Sequence, residues 1–346
     1  MKYRFFTIAL FLAYMLLFCI SVQAQADKKF HLSDIVVPRM RVIIINDFSG
    51  DPDGLFQLAH HVLSPSVEIR GVIGSHLTAE AGFNGSHDDV TVACKEAEKI
   101  LSLLSITDIK VVEGAAQGMT DPAIPQISEG ARLIVEEAMR TDAETPLYVV
   151  CGAGLTDIAS AYLMQPEIAD RLTLVWIGGQ EYEGGAMPPP GYSVPEYNLN
   201  LCIPAARTIF NQSGIPIWQV PRDAYRQCIY SLAELLTLLN PCGEIGSYLT
   251  NKVTGLMSEL SQYNARMGEV YILGDSPLVL LTALQTGFES DPASSHYIIR
   301  QAPLIAPDGT YRYNPVGRNI RVYDRIDTRL MFGDMLSKLK MYILAY

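Results

Sequence analysis

The sequence predicts an α/β fold: an open, mostly parallel sheet with helices on both faces and a helical elaboration towards the C terminus. Three observations carry this expectation. Short apolar runs rich in Val, Ile and Leu recur along the chain, and stretches of helical length and periodicity separate them. Several of these runs end in Gly- or Asp-containing turns, as strand-to-helix connections of βαβ units do. A hydrophobic fraction of 49% with 18% charged residues also supplies a sizeable core.

Taken in order, strands are expected at Val42 to Ile45, Glu68 to Ile73, Ile109 to Val112, Leu147 to Cys151, Leu172 to Ile177 and Ile215 to Val220. Helical patterns lie between them at Leu55 to Leu63, Asp88 to Leu104, Glu129 to Arg140, Leu155 to Met164 and Ala205 to Asn211. Strands joined through helices of this length pair in parallel, because the chain must cross back over the sheet. The last third changes character. Leu232 to Leu239, Ile245 to Gln262 and Pro277 to Gln285 read as helices, and strand pattern returns at Ile298 to Ile305 and Ile320 to Tyr323. No linker, repeat or low-complexity tract divides residues 27–346, which are expected to form a single domain.

The N terminus has a different logic. Lys2 and Arg4 precede an apolar run from Phe5 to Val22, and Ala24 and Ala26 follow as cleavage points. A charged head, a short apolar body and a small-residue exit describe a secretory signal peptide, expected over residues 1–26. The run approaches the length of a membrane anchor, but Val22-Gln-Ala24 and Ala24-Gln-Ala26 favour cleavage. An exported protein, periplasmic or secreted, is expected, with no stable membrane insertion. Cys19 follows bulky Phe18, which argues against lipoprotein attachment.

The chain has 26 basic and 37 acidic residues, a formal charge of -11. Loss of Lys2 and Arg4 with the leader leaves 24 against 37, or -13. Such a surface repels phosphate backbones, so nucleic-acid polymers are excluded as partners and a small molecule is favoured. The oligomeric state is left open to a homo-oligomer. Cys94, Cys151, Cys202, Cys228 and Cys242 show no metal-ligand spacing, which argues against zinc. One or two disulfides stay open in an oxidising compartment, although the apolar surroundings of most of these cysteines favour buried thiols.

The strongest chemical signal is the run from Arg41 to Leu55, where the first strand breaks into Asp47, Asp51 and Asp53. Carboxylates crowded on one loop repel each other and call for a cation, unless the loop is a solvated turn. An all-oxygen set suits a hard cation such as Ca2+. The carboxyl end of a strand is also where open α/β sheets bind ligands. Four further signals fall at such turns. Gly152-Ala-Gly154-Leu-Thr-Asp157 follows a strand and opens a helix, without the residues of a phosphate loop or a dinucleotide fingerprint. Gly178-Gly179 ends another strand, and a Gly/Pro-rich loop leads from it to Pro195-Glu-Tyr-Asn198. Leu273-Gly-Asp275-Ser-Pro277 places an acid before an apolar helix, where an N-cap is the plainer role.

In this order and on this background, the motifs resemble the calcium-dependent nucleoside hydrolases of inosine-uridine preferring type. Asp47, Asp51 and Asp53 stand in that family's first Asp-rich motif. Gly154-Leu-Thr-Asp157, Ile177-Gly-Gly179, Glu196-Tyr-Asn198 and Gly274-Asp275 stand in its later ones, and the likeness runs from about Arg41 to Leu339. It implies a Rossmann-like fold and an exported, divergent branch. It further implies a Ca2+ ion held by Asp47, Asp53 and Asp275 with the Gly152 carbonyl, Asp51 being a candidate replacement ligand. A loop aspartate, Asp47 or Asp53, would take a proton from the water that attacks the anomeric carbon of a nucleoside or riboside. Glu196 and Asn198 would seat sugar hydroxyls, with His76 near the position of a further sugar contact.

The departures from the family pattern are specific. Gly54 replaces the second Asp of an Asp-Asp pair, Ser49 or Asp47 can be matched to the second Asp of the motif depending on register, and Gly274 replaces a His that some members use on the leaving base. His76, Tyr182 and Tyr192 are the candidates left for leaving-group activation. A non-catalytic sugar- or nucleoside-binding protein on the same fold, or a glycosidase with another substrate, is the competing expectation. An EF-hand is excluded because Ser49-x-Asp51-x-Asp53-Gly54 reaches His60 where a bidentate Glu is needed. Phe48 and Ser49 likewise do not supply the second Asp of a haloacid-dehalogenase-like phosphatase.

Overall fold

The computed structural model describes residues 32–78, 89–191, 195–262, 268–286 and 295–345. The expected leader at 1–26 and Tyr192 lie outside these residues. The segment before Val37 contributes one 3-10 turn, Leu32–Asp34. From Val37 onward the chain builds a sheet of eight strands: β1 (Met40–Asn46), β2 (Val67–Gly74), β3 (Val111–Glu113), β4 (Leu147–Cys151), β5 (Leu172–Ile177), β6 (Ile217–Val220), β9 (His296–Gln301) and β12 (Asn319–Arg325). Two small antiparallel ribbons stand apart from it, β7 (Ile229–Ser231) with β8 (Val270–Ile272), and β10 (Leu304–Ile305) with β11 (Tyr311–Arg312).

The strand order is β3-β2-β1-β4-β5-β6-β12-β9. Neighbours pair in parallel except β9, which runs antiparallel to β12 at the edge. The direction of strand addition reverses between β1 and β4, and side connections there leave a crevice at the carboxyl ends. This architecture is the expected α/β class.

Burial of β1 on both faces explains its unbroken apolar run. Val42 and Ile44 enter one core, while Ile43 and Ile45 enter the other. The first core packs against the helices Asp53–Val62, Asp89–Leu103, Gly243–Gln262 and Thr328–Ala345. The second packs against Glu129–Ala138, Thr156–Met164 and Ile203–Arg207.

Several expected elements need correction. The run expected as one strand from Ile298 to Ile305 is two, because Pro303 has no N–H to continue the ladder; Ala302 N donates to Arg318 O at 2.8 Å and the chain turns into the small ribbon. The helix expected from Pro277 to Gln285 is regular only over Pro277–Leu280. Beyond it Thr282, Ala283 and Leu284 all donate to the Val279 carbonyl, and Thr282 Oγ1 bonds back to Leu278 O at 2.6 Å. The expected helices at Ala205 to Asn211 and Leu232 to Leu239 both pass into π-helical turns, Thr208–Gln212 and Leu235–Leu239. In the first, Arg318 accounts for the widening by donating to the carbonyls of Ile209, Phe210 and Ile215 at 2.9–3.1 Å. The five cysteines among the described residues are free and buried, so none of the disulfides left open by the sequence forms among them.

Candidate active site

The site is built where β1 and β4 end side by side. β1 finishes at Asn46, which is fully buried, and its side chain works in two directions. Oδ1 accepts from Asp47 N at 2.8 Å, and Nδ2 donates to Asp275 Oδ2 at 2.7 Å across 229 residues. A turn follows in which Gly50 N bonds Asp47 O at 2.7 Å, and Asp53 N bonds Asp51 Oδ1 at 3.2 Å. This Asx turn starts the helix Asp53–Val62, whose N-cap Pro52 offers no side-chain acceptor of its own. The helix therefore begins with an acid, Asp53, in its first turn, where the dipole favours negative charge.

Asp275 is not the N-cap that its sequence position suggests. That place belongs to Ser276, and the Asp275 carboxylate turns inward instead. Asp53 Oδ2 accepts from Asp275 N at 3.1 Å. The carboxyl groups of Asp53 and Asp275 stand within hydrogen-bonding reach of each other, as do those of Asp51 and Asp53. Gly152, at the end of β4, makes room for this approach. A Cβ there would lie 2.5 Å from the Asp275 carboxyl carbon and from both its oxygens. Gly54 is needed for a similar reason, since a Cβ on it would stand 2.7 Å from the Asn46 amide. The carboxylate that the family resemblance places at 54 is thus absent, and the space is filled by an amide that holds Asp275.

Tyr271 on β8 closes the loop by donating to Asp51 Oδ1 at 2.9 Å. On the next strand end, Gly179 adopts a left-handed φ of +87° and donates its N–H to Glu196 Oε2 at 2.7 Å. Glu196 also caps the short helix Tyr197–Leu201 by accepting from Leu199 N at 3.1 Å. Its other oxygen takes the Tyr225 hydroxyl at 2.9 Å. Asn198 Nδ2 donates to Ile177 O at 2.9 Å, which ties this helix to β5.

Burial and mutual repulsion dominate the electrostatics. Asp47 and Asp53 are held well above the usual carboxylate range, first by burial and then by the charges of Asp275 and Asp51. Asp275 is pushed up to about 7, mainly by burial. Asp51 and Glu196 are raised by burial as well. Such a cluster holds protons more tightly than free carboxyl groups do unless positive charge compensates it. The donors are all oxygens, which is the chemistry of a hard divalent cation and not of zinc. Among the described residues, no three His, Cys, Asp or Glu groups form a finished metal cage. Here the carboxyl oxygens are spent on Asn46, Tyr271 and backbone N–H groups, so side-chain rotation must accompany metal binding. The donor chemistry fits a cation, and the rotamers shown are those of hydrogen-bonded acids.

The structure therefore gathers Asp47, Asp51, Asp53, Gly152 and Asp275, with Glu196 and Asn198 on the adjoining turn. The other candidates have partners of their own. His76 is buried with its ring held by Thr156 Oγ1 at 2.8 Å and the Leu77 carbonyl at 3.3 Å, and its charge acts on the Asp157 carboxylate. Asp157 itself braces the chain after β3, accepting from Ala115 N at 2.9 Å and Ser128 Oγ at 2.6 Å. The Tyr182 hydroxyl is donated to Gln219 Oε1 at 2.6 Å, behind the Gly178-Gly179 turn. Asn46, Tyr225 and Tyr271 escaped the sequence reading. Asn46 carried one usable signal, a polar residue ending a wholly apolar run.

The family model described as inosine-uridine preferring nucleoside hydrolase matches residues 42–301. The inosine-uridine preferring nucleoside hydrolase of Crithidia fasciculata is 38% identical over 89 residues, so the match spans 25% of this chain and 25% of that protein. Among solved structures, a purine-preferring ribonucleoside hydrolase from Gardnerella vaginalis superposes with a TM-score of 0.67 at 17% identity, covering 88% of this chain and 100% of its own. An inosine-uridine preferring nucleoside hydrolase from Bacillus anthracis gives 0.64 at 14% identity, with 87% and 99% coverage. At these identities the two structures speak for the fold.

Proposed function

Since this chain belongs to the inosine-uridine preferring nucleoside hydrolase family, we propose that it hydrolyses the N-glycosidic bond of a ribonucleoside or related riboside, with Ca2+ as its metal. The observation that carries this reading is the meeting of Asp53 and Asp275 over Gly152. Residues 222 apart are joined at 3.1 Å, and a glycine leaves room for the carboxylate. Neither feature serves a solvated turn.

Asp47, Asp51, Asp53 and Asp275, with the Gly152 carbonyl, would hold the cation, which when bound supplies the positive charge that draws in a water and the sugar hydroxyls. Asp47 or Asp53 acts as the base. With the cation bound and its own carboxylate ionised, either one can take the water's proton as the oxygen attacks the anomeric carbon and the bond to the base breaks. Glu196 is buried and, when ionised, only accepts hydrogen bonds, so it selects a hydroxyl donor on the sugar. The surrounding negative charge favours the cationic character that the sugar acquires in the transition state. Gly274 stands where the family resemblance places a His on the leaving base, and a substrate with a good leaving group is therefore favoured over inosine. We also place the enzyme outside the cytoplasm as a single domain, a reading supported by the composition of residues 1–26 and the unbroken patterning of 27–346.

The test is product release from inosine, uridine and a nitrophenyl riboside by the mature protein in Ca2+ and in chelator. Release fastest from the nitrophenyl riboside and lost in chelator is expected. Binding of every riboside with no turnover would replace the enzyme reading with that of a binding protein.

A further inference from the structure

We propose that Tyr225 is a positioning residue, a rigid strut between the Gly274 turn and Glu196 that sets the orientation of the Glu196 carboxylate. The inference deepens the reading of Glu196 as the group that seats the sugar. Tyr225 ends the short helix Arg222–Tyr225 after β6. This helix is fastened to the neighbouring strand end, because Arg222 N donates to Gly179 O at 2.9 Å and the buried Arg222 guanidinium pairs with Glu181 at 2.6 Å. The backbone of Tyr225 therefore has a fixed origin.

The ring then reaches in two directions. Its near edge fills the space beside Gly274, where a built Cβ would lie 3.3 Å from Tyr225 Cδ2 and 3.3 Å from Asp53 Oδ2. Its hydroxyl donates to Glu196 Oε1 at 2.9 Å. A tyrosine has two rotatable side-chain bonds and a rigid body, so wedging one end fixes the other. Glu196 Oε2 is already taken by Gly179 N at 2.7 Å and Leu199 N at 3.1 Å. With Oε1 held by Tyr225 and the backbone N–H of Asn198 also donating to the carboxylate, the group cannot rotate, and a sugar hydroxyl must meet it from one direction. Gly274 has a physical reason to be glycine: any larger side chain would press on the strut and on Asp53 together.

The test compares wild type, Tyr225→Phe and Tyr225→Ala on the nitrophenyl riboside. Tyr225→Phe keeps the ring and loses the donor. KM should rise roughly tenfold, the order expected for one hydrogen bond to a charged group, while kcat changes by less than about threefold. Tyr225→Ala should raise KM further and lower kcat as well. A Tyr225→Phe variant with unchanged KM, or one losing kcat at constant KM, would overturn the positioning role. A second readout does not depend on turnover. The 13C signal of the Glu196 carboxyl group, assigned with Glu196→Gln, should titrate at higher pH in Tyr225→Phe, because the hydroxyl donor favours the ionised form. An unmoved midpoint overturns the inference even if the protein hydrolyses ribosides, and a shifted one upholds it even if no riboside is cleaved.

Discussion

Asp275→Asn should make the metal-free protein more stable at alkaline pH. The Asp275 carboxyl is raised from an ordinary 3.8 to about 7, burial being the largest cause. Its proton affinity in the folded state exceeds that in the unfolded chain, so the folded state holds the extra proton between these values. Stability is therefore greatest at acid pH and falls as pH rises through about 7. Three units at about 1.4 kcal/mol each put the cost of the ionised side chain at roughly 4 kcal/mol near pH 8, shrinking to about 1 kcal/mol near pH 4.5. The Asn amide preserves the local bonds: its oxygen can accept from Asn46, and its nitrogen can donate to Asp53. Urea unfolding in chelator should show a higher midpoint for the variant at pH 8 with an unchanged slope, and a small difference at pH 4.5. Added Ca2+ should reverse the order by stabilising the wild type alone. A wild type that equals or exceeds Asp275→Asn at pH 8 in chelator would refute the picture of uncompensated buried acids.

Three other substitutions probe the frame of the site. Gly152→Ala places a methyl group 2.5 Å from the Asp275 carboxyl atoms, so Ca2+ affinity measured by calorimetry should fall at least about tenfold, with an overpacking cost of about 1–3 kcal/mol. Gly179→Ala puts a Cβ at a φ of +87° and against Tyr311 and Gln219, and the melting temperature should drop by several degrees, as a loss of about 1–3 kcal/mol implies. Lys338→Met removes the buried ammonium that bonds Asp334 at 2.5 Å and Ser64 at 2.8 Å, leaving Asp334 to His60 alone, and denaturation should show a loss of about 1–3 kcal/mol.

How far these features were legible in the sequence depends on the range of the forces behind them. Leu147 to Cys151 and Leu172 to Ile177 could be bounded to the residue because both faces of those strands are buried, which leaves an uninterrupted apolar run. Asp47, Asp51, Asp53 and Asp275 stood out because acids beside apolar strands and helices contradict local propensity. Tyr225 and Tyr271 were invisible for the opposite reason, and Asn46 showed only as a polar end to an apolar run. Each gains its role from a partner 229, 29 or 220 residues away, counting Asn46, Tyr225 and Tyr271 in turn. The helix Thr328–Ala345 was missed too: Met331, Met335 and Leu339 face the core, but Leu344 is exposed, so the apolar pattern blurs. Asp275 was legible as an acid whose position also suited a cap, and only the sheet shows that Asn46 holds it and that Gly152 leaves room for it.

The proposed metal site is tested most directly by turnover of a nitrophenyl riboside in Ca2+ by wild type and by Asp275→Ala, assayed side by side with folding checked for both. Nitrophenol release by the wild type is expected, with a loss of at least about a hundredfold in the variant, as when a metal site loses a ligand. Equal turnover by the two proteins would overturn the reading, because the Asp275 carboxylate is held by Asn46 and its N–H by Asp53 where the cation would sit.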